Sequence, residues 1–133
     1  MIFEYTNYGD NKRPVIPVIL SNHGSYIQYS VLIDSGSDRC FFDAEIGDIL
    51  GLKYDPDKLC EVMGVGGKIS RYYLHKVKLT IQDCSYNMEA GFMSHLGGGI
   101  ISYGFLGQNG FFDHFEVKFN HNENFVEINK FEV

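Results

Sequence analysis

Val31-Leu32-Ile33-Asp34-Ser35-Gly36-Ser37 decides how the rest of the chain is read. Three apolar residues, two of them β-branched, read as a buried strand end, and Ser35-Gly36 reads as the tight turn that stops it. Asp34 is thereby delivered to a strand terminus, half buried and surrounded by hydroxyl groups. Two readings are open here. Asp34 is a positioned carboxylate with chemistry to perform, or it is an ordinary turn residue, because Asp, Ser and Gly are the usual residues of β-turns.

Upstream, Pro14 to Leu20 is β-rich, and Pro14 and Pro17 cannot donate ladder hydrogen bonds, which predicts a sheet edge or a bulge. Ser21 to Ser25 reads as a turn and Tyr26 to Ile33 as a return strand, so Asp34 sits at the exit of a hairpin. Residues 1 to 13 show no clear period, and the polar stretch Asn7 to Arg13 reads as an arm or loop. Downstream, Arg39 to Phe42 reads as a short strand. Asp43 then caps a helix through Ala44 to Leu50 with Gly51 as its stop, although the internal Gly47 costs about 1 kcal/mol of helix propensity.

Leu59 to Met63 and Ile69 to Leu74 read as strands joined by the glycine tip Gly64-Val65-Gly66-Gly67-Lys68. Val77 to Ile81 alternates strictly, and Tyr86 to Met93 is its expected partner across Gln82 to Ser85. Residues 94 to 110 are glycine-rich, with Gly97-Gly98-Gly99 and an apolar cluster from Ile100 to Gly107 that suits close backbone approach. Gly110 to Asp113 reads as one helical turn. Phe115 to Asn120 and Phe125 to Lys130 form a terminal hairpin. No repeat with a period of roughly 20 to 50 residues appears.

The 133 residues fit one domain, and 44% hydrophobic content supports a folded core. A formal charge of -6 disfavours nucleic-acid backbone and anionic membrane as partners, and no Lys/Arg run offers a local exception. Cys40, Cys60 and Cys84 lack a C-x-x-C spacing and suit free thiols in a reducing compartment. Neither a basic segment followed by an apolar core nor a run long enough to span a bilayer is present, so a cytoplasmic protein is expected.

Asp-Ser/Thr-Gly after an apolar triplet is the signature around the catalytic aspartate of aspartic peptidases, and other segments follow in the order of that family. Gly64-Val65-Gly66-Gly67 resembles the tip of its flap, the hairpin that closes over bound peptide. Phe105-Leu106-Gly107-Gln108-Asn109 resembles the apolar-apolar-Gly segment that supports the catalytic loop, and Gly110 to Val117 resembles its continuation in microbial members. From roughly Pro14 to Ile128 the chain is similar to the single-domain, retropepsin-like aspartic peptidases. Each piece is short; their order carries the resemblance.

That resemblance implies an all-β, closed retropepsin-like barrel with one short helix, acting as a homodimer. Hydrolysis without a metal needs a water activated by a base and a carbonyl polarised by an acid, which two carboxylates sharing one proton supply. The chain carries one such loop and no second Asp-Ser-Gly or Asp-Thr-Gly. Asp34 must then face its counterpart across a two-fold axis, and the pair titrates with two separated values that belong to the dyad. Further implied roles are a reach across the axis by Ser35, a backbone N–H from Gly36 to the carboxylate, and a Ser37 hydroxyl donated to its outer oxygen. A Ser37 donor there would bias activity toward acid pH. Leu106 and Gly107 support the loop, and Gly64, Val65, Gly66, Gly67 and Ile69 bind substrate from the flap. Val65, Ile69 and Ile100 to Tyr103 are candidate subsite walls, with apolar residues of an extended or unfolded polypeptide as the preferred substrate.

Other chemistries fit less well. The Walker pattern fails at Val62 and Ile69. His23, His75, His95, His114 and His121 show no paired ligand spacing, so no metal is expected, and no cofactor. Cys40 has no His partner and reads as a packed thiol, and Ser35 lacks a Gly-x-Ser-x-Gly elbow. The many Phe and Tyr residues read as core and interface packing. The alternative of a different class is a dimeric, non-catalytic peptide-binding or dimerisation module on the same fold.

Overall fold

A computed structural model describes residues 1–96 and 103–132. In chain order the strands are β1 (Ile2–Glu4), β2 (Thr6–Tyr8), β3 (Asn11–Arg13), β4 (Val15–Asn22), β5 (Ser25–Ile33) and β6 (Phe41–Asp43). The helix α1 (Ala44–Ile49) follows, then β7 (Leu59–Met63), β8 (Ile69–Ile81), β9 (Cys84–Met93), β10 (Gly104–Leu106), β11 (Phe115–Asn120) and β12 (Phe125–Lys130).

Hydrogen-bonded neighbours run β4-β5-β10-β6-β9-β8, and β8 returns to β4, so six strands close into a ring. The closing seam is short: Ile19, Leu20 and Ser21 lie opposite Thr80, Leu79 and Lys78. β7 pairs with the first part of β8 and carries the sheet outward as a hairpin. Alternation puts Val18, Leu20, Val77, Leu79 and Ile81 inside, where Phe42, Phe92 and Phe111 complete a core from which water is excluded. This is the predicted closed all-β barrel.

Proline placement follows the ladder. Ile33 N donates to Pro14 O at 3.0 Å, so even-numbered residues of β4 bond to β5 and the missing N–H of Pro17 faces the other side. There β4 meets β8 only from Ile19 onward. Asp43 caps α1 as expected, accepting from Glu45 N at 3.0 Å, and Gly51 takes φ 74° just beyond Leu50. Gly47 has its reason in packing. The Tyr54 hydroxyl, which donates to Ala44 O at 3.0 Å, occupies the space a Cβ at Gly47 would need.

Three predicted boundaries are corrected. Residues 7–13 are not simply a loop, because β2 pairs with β3 there, and before them β1 pairs with β12, completing a β1-β12-β11 sheet. Three-residue strands are too short to show a period. Residues 69–81 form one strand, not two, because His75 and Lys76 keep their register opposite Ala90 and Glu89 despite being polar. The turn after Ile81 has two residues, since Ile81 pairs directly with Cys84 and Gln82 takes φ 53°.

Candidate active site

β5 and β10 run parallel, with Val31, Leu32 and Ile33 opposite Gly104, Phe105 and Leu106. Buried apolar residues hold both strands in the barrel wall, so the chain leaves β5 at Asp34 from a fixed point. Four hydrogen bonds then strap the Asp34 loop to the segment after β10. Asp34 N donates to Leu106 O at 2.9 Å, Gln108 N to Ser37 O at 2.8 Å, and Asn109 N to Asp38 O at 2.9 Å. The Gln108 side chain adds Nε2 to Ser35 O at 2.9 Å.

Gly107 lies where this strap is tightest. A Cβ there would press into the carbonyl oxygens of Arg39 and Ser37, so only glycine lets the two backbones lie against each other. Behind them the fully buried Cys40 accepts from Gly107 N at 3.3 Å through its sulfur. Burial pushes its thiol up to about 12, which makes it an inert packed group, as expected.

The half-buried Asp34 accepts from Gly36 N through Oδ1 at 3.0 Å. Ser37 differs from expectation. Its hydroxyl donates to Arg39 O at 2.7 Å, so its proton is committed to the loop backbone instead of the outer oxygen of Asp34. The expected acid bias in pH dependence therefore loses its basis in Ser37.

Asp34, Gly36 and Ser37 open into a cleft of about 520 Å³ whose far wall is the β7–β8 hairpin, including Val62, Met63, Gly64, Val65 and Ser70. The hairpin tip is a 3-10 turn over Val65–Gly67, and Gly66 at φ 85° and Gly67 at φ 79° occupy backbone conformations that L side chains rarely adopt. Val65 is fully exposed at that tip. Gly66, Gly67 and Ile69 do not line the cleft, and Ile69, opposite Met63, is 56% exposed.

Ser35 does not line that cleft but a second pocket of about 380 Å³, with Gln108, Asn109, Phe112 and Asp113. Leu106 is fully buried behind the loop. A third depression, about 930 Å³, lies between the β4–β5 tip and Lys76 to Lys78 and shares no residue with the cleft. Of the predicted subsite residues, Ile100 to Ser102 lie outside the described residues, as do Gly97 to Gly99. Tyr103 is 5% exposed, packed between Tyr8 and Phe105, and does not reach the cleft.

Several cleft residues escaped the sequence reading: Asp38, Arg39, Phe41, Glu61, Tyr72, Met93, Leu96 and Phe105. The even-numbered face of the first half of β8, Ser70 and Tyr72, was the available signal, because it turns toward the cleft while the odd-numbered face of the second half fills the barrel. Among the described residues no group of His, Cys, Asp and Glu has the geometry to hold a metal ion.

Solved structures with this fold include two proteases. EIAV protease, complexed with the inhibitor HBY-793, matches with TM-score 0.55 and 20% identity over 77% of this chain and 88% of its own. A retropepsin-like aspartic protease from Rickettsia conorii matches with TM-score 0.55 and 13% identity over 90% of this chain and 96% of its own. The fold is that of the retropepsin-like aspartic proteases. No protein-family model matches the sequence, and no curated protein matches it at a significant level. The likeness to these proteins thus resides in the path of the backbone. No helix among the described residues is long and apolar enough to cross a membrane.

Proposed function

We propose that the chain is an aspartic-type endopeptidase that works as a symmetric homodimer, cutting extended polypeptide segments with a water held between Asp34 and the partner's Asp34. The observation that carries this reading is the Asp34 carboxylate, oriented by Gly36 N at 3.0 Å and opening into a cleft under a hairpin. One ionised carboxylate takes a proton from the water while the protonated one gives its proton to the substrate carbonyl oxygen, forming a tetrahedral diol. The dyad then gives a proton to the amide nitrogen and takes one back from a hydroxyl of the diol as the C–N bond breaks, releasing a carboxylic acid and an amine and leaving one proton on the dyad as it began.

The test is cleavage of an unbiased peptide mixture from acid to slightly alkaline pH, with wild type beside Asp34→Asn and the dimer fraction measured in each sample. The amide retains an oxygen for Gly36 N, so the variant should fold and dimerise while every cut disappears. A well-formed wild-type dimer that cuts nothing would instead favour a non-catalytic peptide-binding module with the same fold.

A further inference from the structure

Beneath the cleft lies an apolar cluster separate from the barrel core. It is built on Phe41, Tyr72 and Leu96, with Val62, Met93 and Phe105 packed against it. The Phe41 and Tyr72 rings meet edge to face at 5.0 Å and form a firm floor. Over that floor sits a cation. The guanidinium carbon of Arg39 stands 6.0 Å from the Tyr72 ring centroid, inside the cleft that Asp34, Asp38 and Glu61 also line.

The backbone of Arg39 is fixed on both sides, bridged to Asn109 and accepting from the Ser37 hydroxyl at 2.7 Å. The side chain therefore starts from a defined point. Arg39 takes part in none of the ion pairs among the described residues. Glu61, on the opposite wall, is engaged by Arg71 at 3.5 Å, and Asp38 is exposed at the rim. In a chain of formal charge -6, a cation with no carboxylate within ion-pair distance among the described residues, beside the proposed dyad, is a specific feature.

We infer that Arg39 is a specificity-determining residue that selects glutamate in the bound polypeptide close to the scissile bond; this rests on the peptide-binding part of the function proposed above. A glutamate side chain lays its two methylenes across the Phe41–Tyr72 floor and brings its carboxylate to the guanidinium. Aspartate is too short to do both. Glutamine keeps the stem and a weaker hydrogen bond, and lysine is repelled.

Binding is read separately from chemistry by giving every protein the Asp34→Asn change and titrating it with labelled extended peptides carrying Glu, Gln, Leu or Lys at each position in turn. At one position Glu should bind about tenfold tighter than Lys, near the lower end of what a charge-assisted hydrogen bond supplies. Arg39→Gln should flatten the difference and Arg39→Glu should reverse it, with circular dichroism confirming the fold of each. Equal binding of all four peptides, or a preference for Lys set by Asp38, overturns the inference. A glutamate preference together with no cleavage by the chain with Asp34 intact would overturn the peptidase reading and leave this one standing.

Discussion

Gly107 is the residue at which the candidate site is least tolerant of change, because what a Cβ would strike there is backbone of the Asp34 loop and not a side chain able to swing away. Gly107→Ala should cost about 3 kcal/mol or more, read from chemical denaturation, and should abolish any cleavage. Cys40 makes a second residue-scale prediction. A thiol that ionises near 9.0 when free is held up to about 12 by burial, so its contribution to stability is complete below pH 9.0 and is lost as pH rises toward 12. The melting temperature should fall over that window, more shallowly in Cys40→Ala, with Tyr29 and Tyr54, each also raised to about 12, and Tyr86, which burial raises further still, contributing to the remainder. Thiol reagents should modify Cys60 and Cys84 well before Cys40. At this scale the place of Asp34 at a strand exit and its contact with Gly36 were legible because they depend on local backbone, whereas Gly107, which meets Ser37 and Arg39 some seventy positions away, was reached only through the resemblance. Arg39, Phe41 and Tyr72 were not, since they meet only through strand pairing across some thirty positions of chain, and the Ser37 hydroxyl went to a backbone acceptor that no motif announces.

Elements were legible wherever periodicity had room to develop. β7, β11 and β12 fall where the sequence placed strands and Val77 to Ile81 lies in β8 as its alternation predicted, while β1, β2 and β3 are too short for a pattern, and two polar residues concealed the continuity of β8. The strap between the Asp34 loop and residues 106–109 is the element on which the site depends. Its one side-chain bond, Gln108 Nε2 to the exposed Ser35 carbonyl, is replaceable by water. Gln108→Ala should therefore lower stability by about 1 kcal/mol or less. On the peptidase reading it should reduce kcat more than KM, because a looser loop positions Asp34 less well without altering the cleft walls. Steady-state kinetics beside a denaturation curve would separate the two effects. An equal rise in KM would mean that Gln108 touches substrate directly.

At the scale of the whole molecule, the proposed dimer brings together two chains that each carry a formal charge of -6. Like net charges oppose association and salt screens them, so the dimer dissociation constant should fall severalfold from low to high salt in sedimentation experiments. If salt weakened the dimer, cross-subunit ion pairs would dominate instead. Closure of the barrel has another consequence. β8 is clamped between two neighbours at Lys78 to Thr80 but has only β7 beside it from Ile69 to Tyr72, so a single strand passes from fixed wall to free arm. It is a leaf spring with one anchored end. Bending the arm loads the root, and a peptide that draws the hairpin down pulls, through one unbroken backbone, on the three residue pairs that hold the ring shut.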